Sequence, residues 1–141
     1  MLPVRLLCYN DLSVCGKVCM KKIFIVDDEP DITEVMTLFA DQLGYTTDSS
    51  HSGDDAVGKI QRNDYWAVFC DLKMPGLSGL EIFEQVHRLK PELKKRFILV
   101  TGAILDKEAE EAVREKEIMV FRKPFNFEAI KALFSRLEKA Q

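Results

Sequence analysis

The run Ile23-Phe24-Ile25-Val26-Asp27-Asp28-Glu29-Pro30 decides how the chain is read. A short apolar run of this length is the pattern of a buried strand. Two acids close it, and Pro30 suits the first position of a helix, where its missing N–H costs nothing. Three further apolar runs end in the same way. Trp66-Ala67-Val68-Phe69-Cys70 runs into Asp71, and Phe97-Ile98-Leu99-Val100 runs into Thr101. Ile118-Met119-Val120-Phe121 leads through Arg122 to Lys123-Pro124. In an open parallel sheet the carboxyl ends of the strands form one edge, and ligands bind there. These runs therefore deliver three carboxylates, one hydroxyl and one ammonium to a single pocket. That set is able to hold a divalent cation and a phosphoryl group together.

Around these runs strand and helix patterns alternate. Strands are expected at about 22–27, 45–49, 66–70, 97–100 and 118–121. The first helix runs from Pro30 to Gly44, with Ile32, Val35, Met36, Phe39 and Leu43 at helical spacing. The second starts at Ser52 and turns Ala56, Val57 and Ile60 inward. The third follows the Pro75-Gly76 loop, turns Leu80, Phe83, Val86 and Leu89 inward, and stops at Pro91. The fourth, about 106–116, is heavily charged, and the fifth, Phe127 to Lys139, carries Ile130, Leu133, Phe134 and Leu137 on one face. Five strand–helix units imply an α/β fold, a parallel sheet covered on both faces. Right-handed crossovers make the flavodoxin-like strand order 2-1-3-4-5 the natural one, with strands 1 and 3 adjacent so that Asp27, Asp28 and Asp71 converge. The second strand is the most polar and belongs at an edge.

The totals narrow the function. At 141 residues and 47% apolar, the chain has room for one domain with a proper core. A net charge of −3 argues against a nucleic-acid surface, which shows a basic face. No apolar stretch approaches the roughly 18 residues of a membrane span, so a cytoplasmic location is expected. Cys8, Cys15 and Cys19 have no fourth ligand nearby and match no common zinc spacing, and Cys70 lies in a predicted core strand; four free thiols are expected. Residues 1–20 do not fit the alternation. They are too short and too broken by Arg5 for a signal peptide, and are expected to be a poorly ordered extension before a domain at 21–141, with Met20 as the natural start.

Three clustered carboxylates repel one another, and such a cluster is stable only if a cation neutralises it or some pKa values rise. Mg2+ suits it, as a hard cation with oxygen ligands. One carboxylate would be the nucleophile that becomes an acyl phosphate, with Lys123 supplying positive charge and Thr101 a hydrogen bond to the phosphoryl oxygens.

At these residues the chain resembles the receiver domain of bacterial two-component response regulators. The matching motifs are Val26-Asp27-Asp28-Glu29, Asp71-Leu72-Lys73-Met74-Pro75-Gly76-Leu77-Ser78-Gly79, Val100-Thr101-Gly102 and Lys123-Pro124-Phe125, over about residues 21–140. The resemblance implies that Asp71 accepts a phosphoryl group from the phosphohistidine of a sensor kinase or a histidine phosphotransfer protein. It implies that Asp28 and Asp71 bind Mg2+ directly, Asp27 through water, and Lys73 through its backbone carbonyl. Thr101 would move toward the phosphoryl group, Lys123 would pair with it, and the Lys123-Pro124 bond would be cis. The surface of helix 4, strand 5 and helix 5 would meet a downstream protein partner or a second copy in a homodimer. No separate substrate would be turned over, and with the chain ending at Gln141, output would come from a partner, a relay or a longer parent.

The sequence departs from the family pattern at one place. Many receivers carry Tyr or Phe three residues before the lysine; here that residue is Val120, with Phe121 beside it. Strand alternation sends the two side chains to opposite faces, so Phe121 does not replace the missing ring. Lys73 and Ala103 stand at the family's two positions that set the lifetime of the phosphorylated form. Other readings stay open. Asp27 and Asp28 could cap the first helix, Asp71 could serve a turn, and Thr101 and Lys123 could be ordinary strand-end residues. Glu29 is read as part of the helix start, and His51 and His87 as surface residues. An aspartate-nucleophile phosphohydrolase would want an acid where Lys73 stands, and a module that binds partners without phosphorylation is kept open by Val120.

Overall fold

The computed structural model describes residues 21–139. The expected extension 1–20, with Cys8, Cys15 and Cys19, lies outside the described residues. Five strands, β1 (Lys22–Val26), β2 (Thr46–Ser50), β3 (Ala67–Asp71), β4 (Phe97–Thr101) and β5 (Met119–Arg122), alternate with α1 (Pro30–Gln42), α2 (Gly53–Arg62), α3 (Gly79–Leu89), α4 (Lys107–Lys116) and α5 (Phe127–Lys139). The strands form one sheet in the order β2-β1-β3-β4-β5, and every pairing is parallel. This is the expected topology, with polar β2 at an edge. The bounds differ from the sequence reading by a residue or so at strand ends. β3, for example, begins at Ala67, which pairs with Ile23, rather than at Trp66.

Alternation along the strands divides the core into two layers. Ile23, Ile25, Ala67, Phe69, Ile98 and Val100 pack under α1 and α5, with Met36, Ala40, Ile130, Leu133, Phe134 and Leu137. Phe24, Val26, Val68, Cys70, Phe97 and Leu99 pack under α2 and α3, with Ala56, Val57, Ile60, Ile82, Phe83 and Val86. The central strands β3 and β4 are buried along their whole length, as a parallel sheet covered on both faces requires. Val120 packs on the α2–α3 side and Phe121 on the α1–α5 side, as their alternation predicts.

The inward assignment of Leu89 is corrected, and Val35, one of the apolar residues at helical spacing in the first helix, also lies outward. Val35 and Leu89 are 39% and 42% exposed. α1 approaches the sheet through Thr33, Met36 and Ala40, one row at helical spacing whose small members permit a close approach, and that row turns Val35 outward. In α3 the buried row is Ile82, Phe83 and Val86. Leu89 is its last residue, and the 3-10 turn Pro91–Arg96 that follows buries Leu93 in the same cluster.

The helices start where local chemistry tells them to. Ser52 accepts from Asp55 N–H, Asp106 from Ala109 N–H and Asn126 from Ala129 N–H. α3 carries a full capping box between Ser78 and Glu81, which seats its first turn against β3. Gly79 is essential to that seat. Its N–H donates to Leu72 O at 2.9 Å, and a Cβ there would lie 2.6 Å from Asp71 O and 2.7 Å from Leu99 Cδ2. Gly79→Ala is therefore expected to cost about 1–3 kcal/mol by overpacking. Gly102→Ala, whose added Cβ would come no closer than 3.5 Å to Lys123 Cβ, should stay within about 0.5 kcal/mol of wild type. Urea unfolding of both variants checks the contrast.

Candidate functional site

The carboxyl edge of the sheet gathers the residues that the apolar runs delivered. β1 and β3 are neighbours, so Asp27 and Asp71 emerge side by side, and both are buried. Asp28 stands on the solvent side of the pair. Carboxylate oxygens of Asp27, Asp28 and Asp71 all lie within 4.8 Å of one another. Lys123 reaches over from the end of β5. Its Nζ lies 3.1 Å from Asp27 Oδ2 and 3.7 Å from Asp71 Oδ1. The Lys123-Pro124 bond is cis, as expected, and Lys123 N–H donates to Thr101 O at 2.9 Å.

Thr101 is buried at the end of β4, one strand from Asp71. Its Oγ1 accepts a hydrogen bond from Ala103 N–H at 3.1 Å, so the hydroxyl is tied to its own loop rather than to the carboxylates. Lys73 is exposed, and its backbone N–H donates to the Asp71 carboxylate. The helix-cap reading of Asp27 and Asp28 is not met. The residue capping α1 is Glu29, with no side-chain cap bond, while Asp27 Oδ1 accepts from Glu29 N–H at 2.9 Å.

Two contacts were not anticipated. Glu29 Oε1 lies 3.2 Å from Lys123 Nζ, so the ammonium has a third carboxylate partner. Its place on the same loop after Asp27-Asp28 was the one signal in the sequence, and it does not say where the side chain turns. His51 is exposed, as read, but its Nδ1 lies 2.9 Å from Asp27 O. A carbonyl only accepts, so Nδ1 carries the proton and tethers the β2–α2 turn to the end of β1.

The electrostatics follow from the crowding. Burial, then the Asp27 charge, pushes the Asp71 carboxyl up to about 6, against the opposing pull of Lys123. Burial alone would lower the Lys123 pKa, but the hydrogen bond and charge of Asp27 outweigh it and raise the pKa, keeping the ammonium charged. Burial raises the Cys70 thiol far above its usual range, so this side chain behaves as a core residue. One ammonium does not neutralise three close carboxylates. A pocket of three hard oxygen donors with surplus negative charge and one solvent-facing member fits a small divalent cation.

A folded pKa near 6 against about 3.9 in the unfolded chain means that the unfolded state loses this proton first as pH rises. The Asp71 contribution to stability is full below pH ~4 and is lost as pH rises through about 6. In divalent-free buffer Asp71→Asn should therefore stabilise the fold at pH 7 by about 1–3 kcal/mol, with the gain vanishing toward pH 4. Denaturant unfolding at both pH values measures it.

Comparison with known proteins agrees with this geometry. The family model described as the response regulator receiver domain matches residues 23–135. The transcriptional regulatory protein TcrA of Mycobacterium tuberculosis is 30% identical over 123 residues, which are 87% of this chain and 47% of TcrA. The response regulator receiver protein CpdR of Brucella abortus is 24% identical over 120 residues, 85% of this chain and 96% of CpdR. The chain thus spans about half the length of TcrA and nearly all of CpdR. Among solved structures, the response regulator TrrA of Thermotoga maritima, in complex with Mg(2+)-BeF, superposes with a TM-score of 0.72 at 31% identity, covering 84% of this chain and 99% of that one. Chemotaxis protein CheY4 of Vibrio cholerae shares the fold with a TM-score of 0.74, at 22% identity over 84% of this chain and 98% of its own. With its strand order, its edge of acids and its lysine, the chain belongs to the response regulator receiver domain family.

Proposed function

We propose that the chain is a phosphorylation-controlled switch of a two-component system, with Asp71 accepting a phosphoryl group from a phosphohistidine on a sensor histidine kinase or a histidine phosphotransfer protein. The observation that carries this reading is Lys123 Nζ at 3.1 Å from Asp27 and 3.7 Å from Asp71, beside a three-carboxylate cluster. The arrangement supplies a nucleophile, a site for a cation and a fixed positive charge at one point. Asp71, with its pKa near 6, is mostly ionised at pH 7 and is ready as a nucleophile. Its Oδ attacks phosphorus, the P–N bond of the phosphohistidine breaks, and the imidazole leaves with the electron pair and takes up a proton. Lys123 then pairs with a phosphoryl oxygen, and the Thr101 hydroxyl turns from Ala103 N–H toward it. Mg2+, held by Asp28, Asp71 and the Lys73 carbonyl, with Asp27 acting through water, would neutralise charge on the transferring group.

The likeness to TrrA, solved with Mg(2+)-BeF, supports the cation assignment. The chain is not an enzyme toward a separate substrate in this reading; its chemistry is its own phosphorylation and dephosphorylation. The output surface is α4–β5–α5, which meets a downstream protein or a second copy. α4 is suited to such a role. Ala109 is its one buried residue, and Val113 and the Lys116–Glu84 pair at 2.7 Å are the other contacts that its displacement would have to break. Val120 packs as an ordinary strand residue on the α2–α3 side of the core, and in this reading coupling of Thr101 to this surface runs without an aromatic ring at that position. No described helix is long and apolar enough to cross a membrane, and a cytoplasmic location is part of the proposal.

Incubation with acetyl phosphate and Mg2+ should add one phosphoryl mass to the wild-type protein and none to Asp71→Asn. An adduct on neither would favour a module that binds partners without phosphorylation. Lys73, exposed two residues after the acceptor, is expected to control access of the hydrolytic water. Lys73→Ala should change the decay rate of the adduct by about threefold or more, with stability within about 0.5 kcal/mol of wild type. Decay followed by intact mass, beside unfolding curves, checks both halves.

A further inference from the structure

Three carboxylates share Lys123, and they are not alike. Asp27 and Asp71 are buried, and Asp27 is fixed by the Glu29 N–H on its other oxygen. The Glu29 carboxylate, 3.2 Å from Nζ, is 63% exposed, while the Lys123 side chain is only 14% exposed. Glu29 is therefore the one solvent-exposed carboxylate among the three that pair with the ammonium. It stands at the helix cap, where a side chain ordinarily bonds the first turn, yet it makes no such bond. Its backbone is held by Asp27, and nothing but Lys123 holds its carboxylate among the described contacts.

We propose that Glu29 is a detachable counterion of Lys123, a positioning residue that occupies the ammonium until a phosphoryl group on Asp71 displaces it, and so slows acceptance of that group. The proposal rests on the reading of Asp71 as phosphoryl acceptor. The physical reason is competition. An incoming phosphodonor is an anion that needs the charge Glu29 is using, and Glu29 also repels it directly. A pair on the solvent side opens by rotation about side-chain bonds, and salt weakens it. The same carboxylate adds negative charge beside the acid cluster. Removing it should weaken attraction for a divalent cation while freeing Lys123 for the phosphoryl group, so the two effects run in opposite directions.

The test compares wild type, Glu29→Gln and Glu34→Gln. Glu34, exposed on the same helix, controls for loss of one charge. Labelling by acetyl phosphate at saturating Mg2+ is followed by intact mass at low and high salt, and Mg2+ binding is measured by calorimetry. Glu29→Gln should label about 3- to 10-fold faster than wild type at low salt, with the difference shrinking as salt screens the pair. Its Mg2+ affinity should fall, and Glu34→Gln should match wild type in both. Wild type and Glu29→Gln labelling at the same rate and with the same salt dependence would overturn the role of Glu29 and leave the acceptor reading in place. Labelling of none of the three would overturn both.

Discussion

The interaction on which the structure turns is the unequal contest between one ammonium and the carboxylates at the sheet's edge. Lys123 sits at 3.1 Å from Asp27 and 3.7 Å from Asp71, yet burial and Asp27 still hold the Asp71 carboxyl up near 6. Acids this close, two of them buried, cost free energy in the folded state. A protein that only needed to fold would gain by replacing one of them, which is the usual mark of a site kept for its chemistry. The surplus charge makes the pocket ready for a cation, and the raised Asp71 pKa still leaves a nucleophile at neutral pH.

The rest of the fold serves to bring these groups together. Parallel pairing of β1 with β3 puts Asp27 beside Asp71, and parallel pairing of β4 with β5 puts Lys123 N–H on Thr101 O. The residues themselves are far apart in sequence; only the strand order makes them neighbours. The capping box of α3 and the absent Cβ of Gly79 hold the loop after Asp71 tight against the sheet. α4, by contrast, buries only Ala109, with Val113 partly buried against the core and Lys116 paired with Glu84 of α3 at 2.7 Å.

Much of this was legible in the sequence because apolar periodicity reports which residues are buried, and the acids stood at the ends of apolar runs. α2 and α5 were read with their buried faces intact, since each carries one unambiguous row. α3 was misread at Leu89, and the outward turn of Val35 in α1 was not legible, because each helix has more apolar residues than it buries, and which row faces the sheet depends on close approach at Thr33 and Ala40 or on Leu93 from the next turn. The acid cluster itself was legible from strand order alone. The Glu29–Lys123 pair was not, because a rotamer choice rather than a pattern decides where an exposed glutamate goes. The engagement of the Thr101 hydroxyl with Ala103 N–H was hidden for the same reason.

The central claim is that the strand order concentrates negative charge that a divalent cation relieves. The most direct measurement is thermal unfolding against Mg2+ concentration, for wild type and Asp28→Asn, at pH 7. Asp28 faces solvent, so its substitution leaves the core intact. The account predicts a melting temperature that climbs with Mg2+ as binding to the folded state alone requires, and a much smaller climb in Asp28→Asn. A wild-type melting temperature indifferent to millimolar Mg2+ would contradict it.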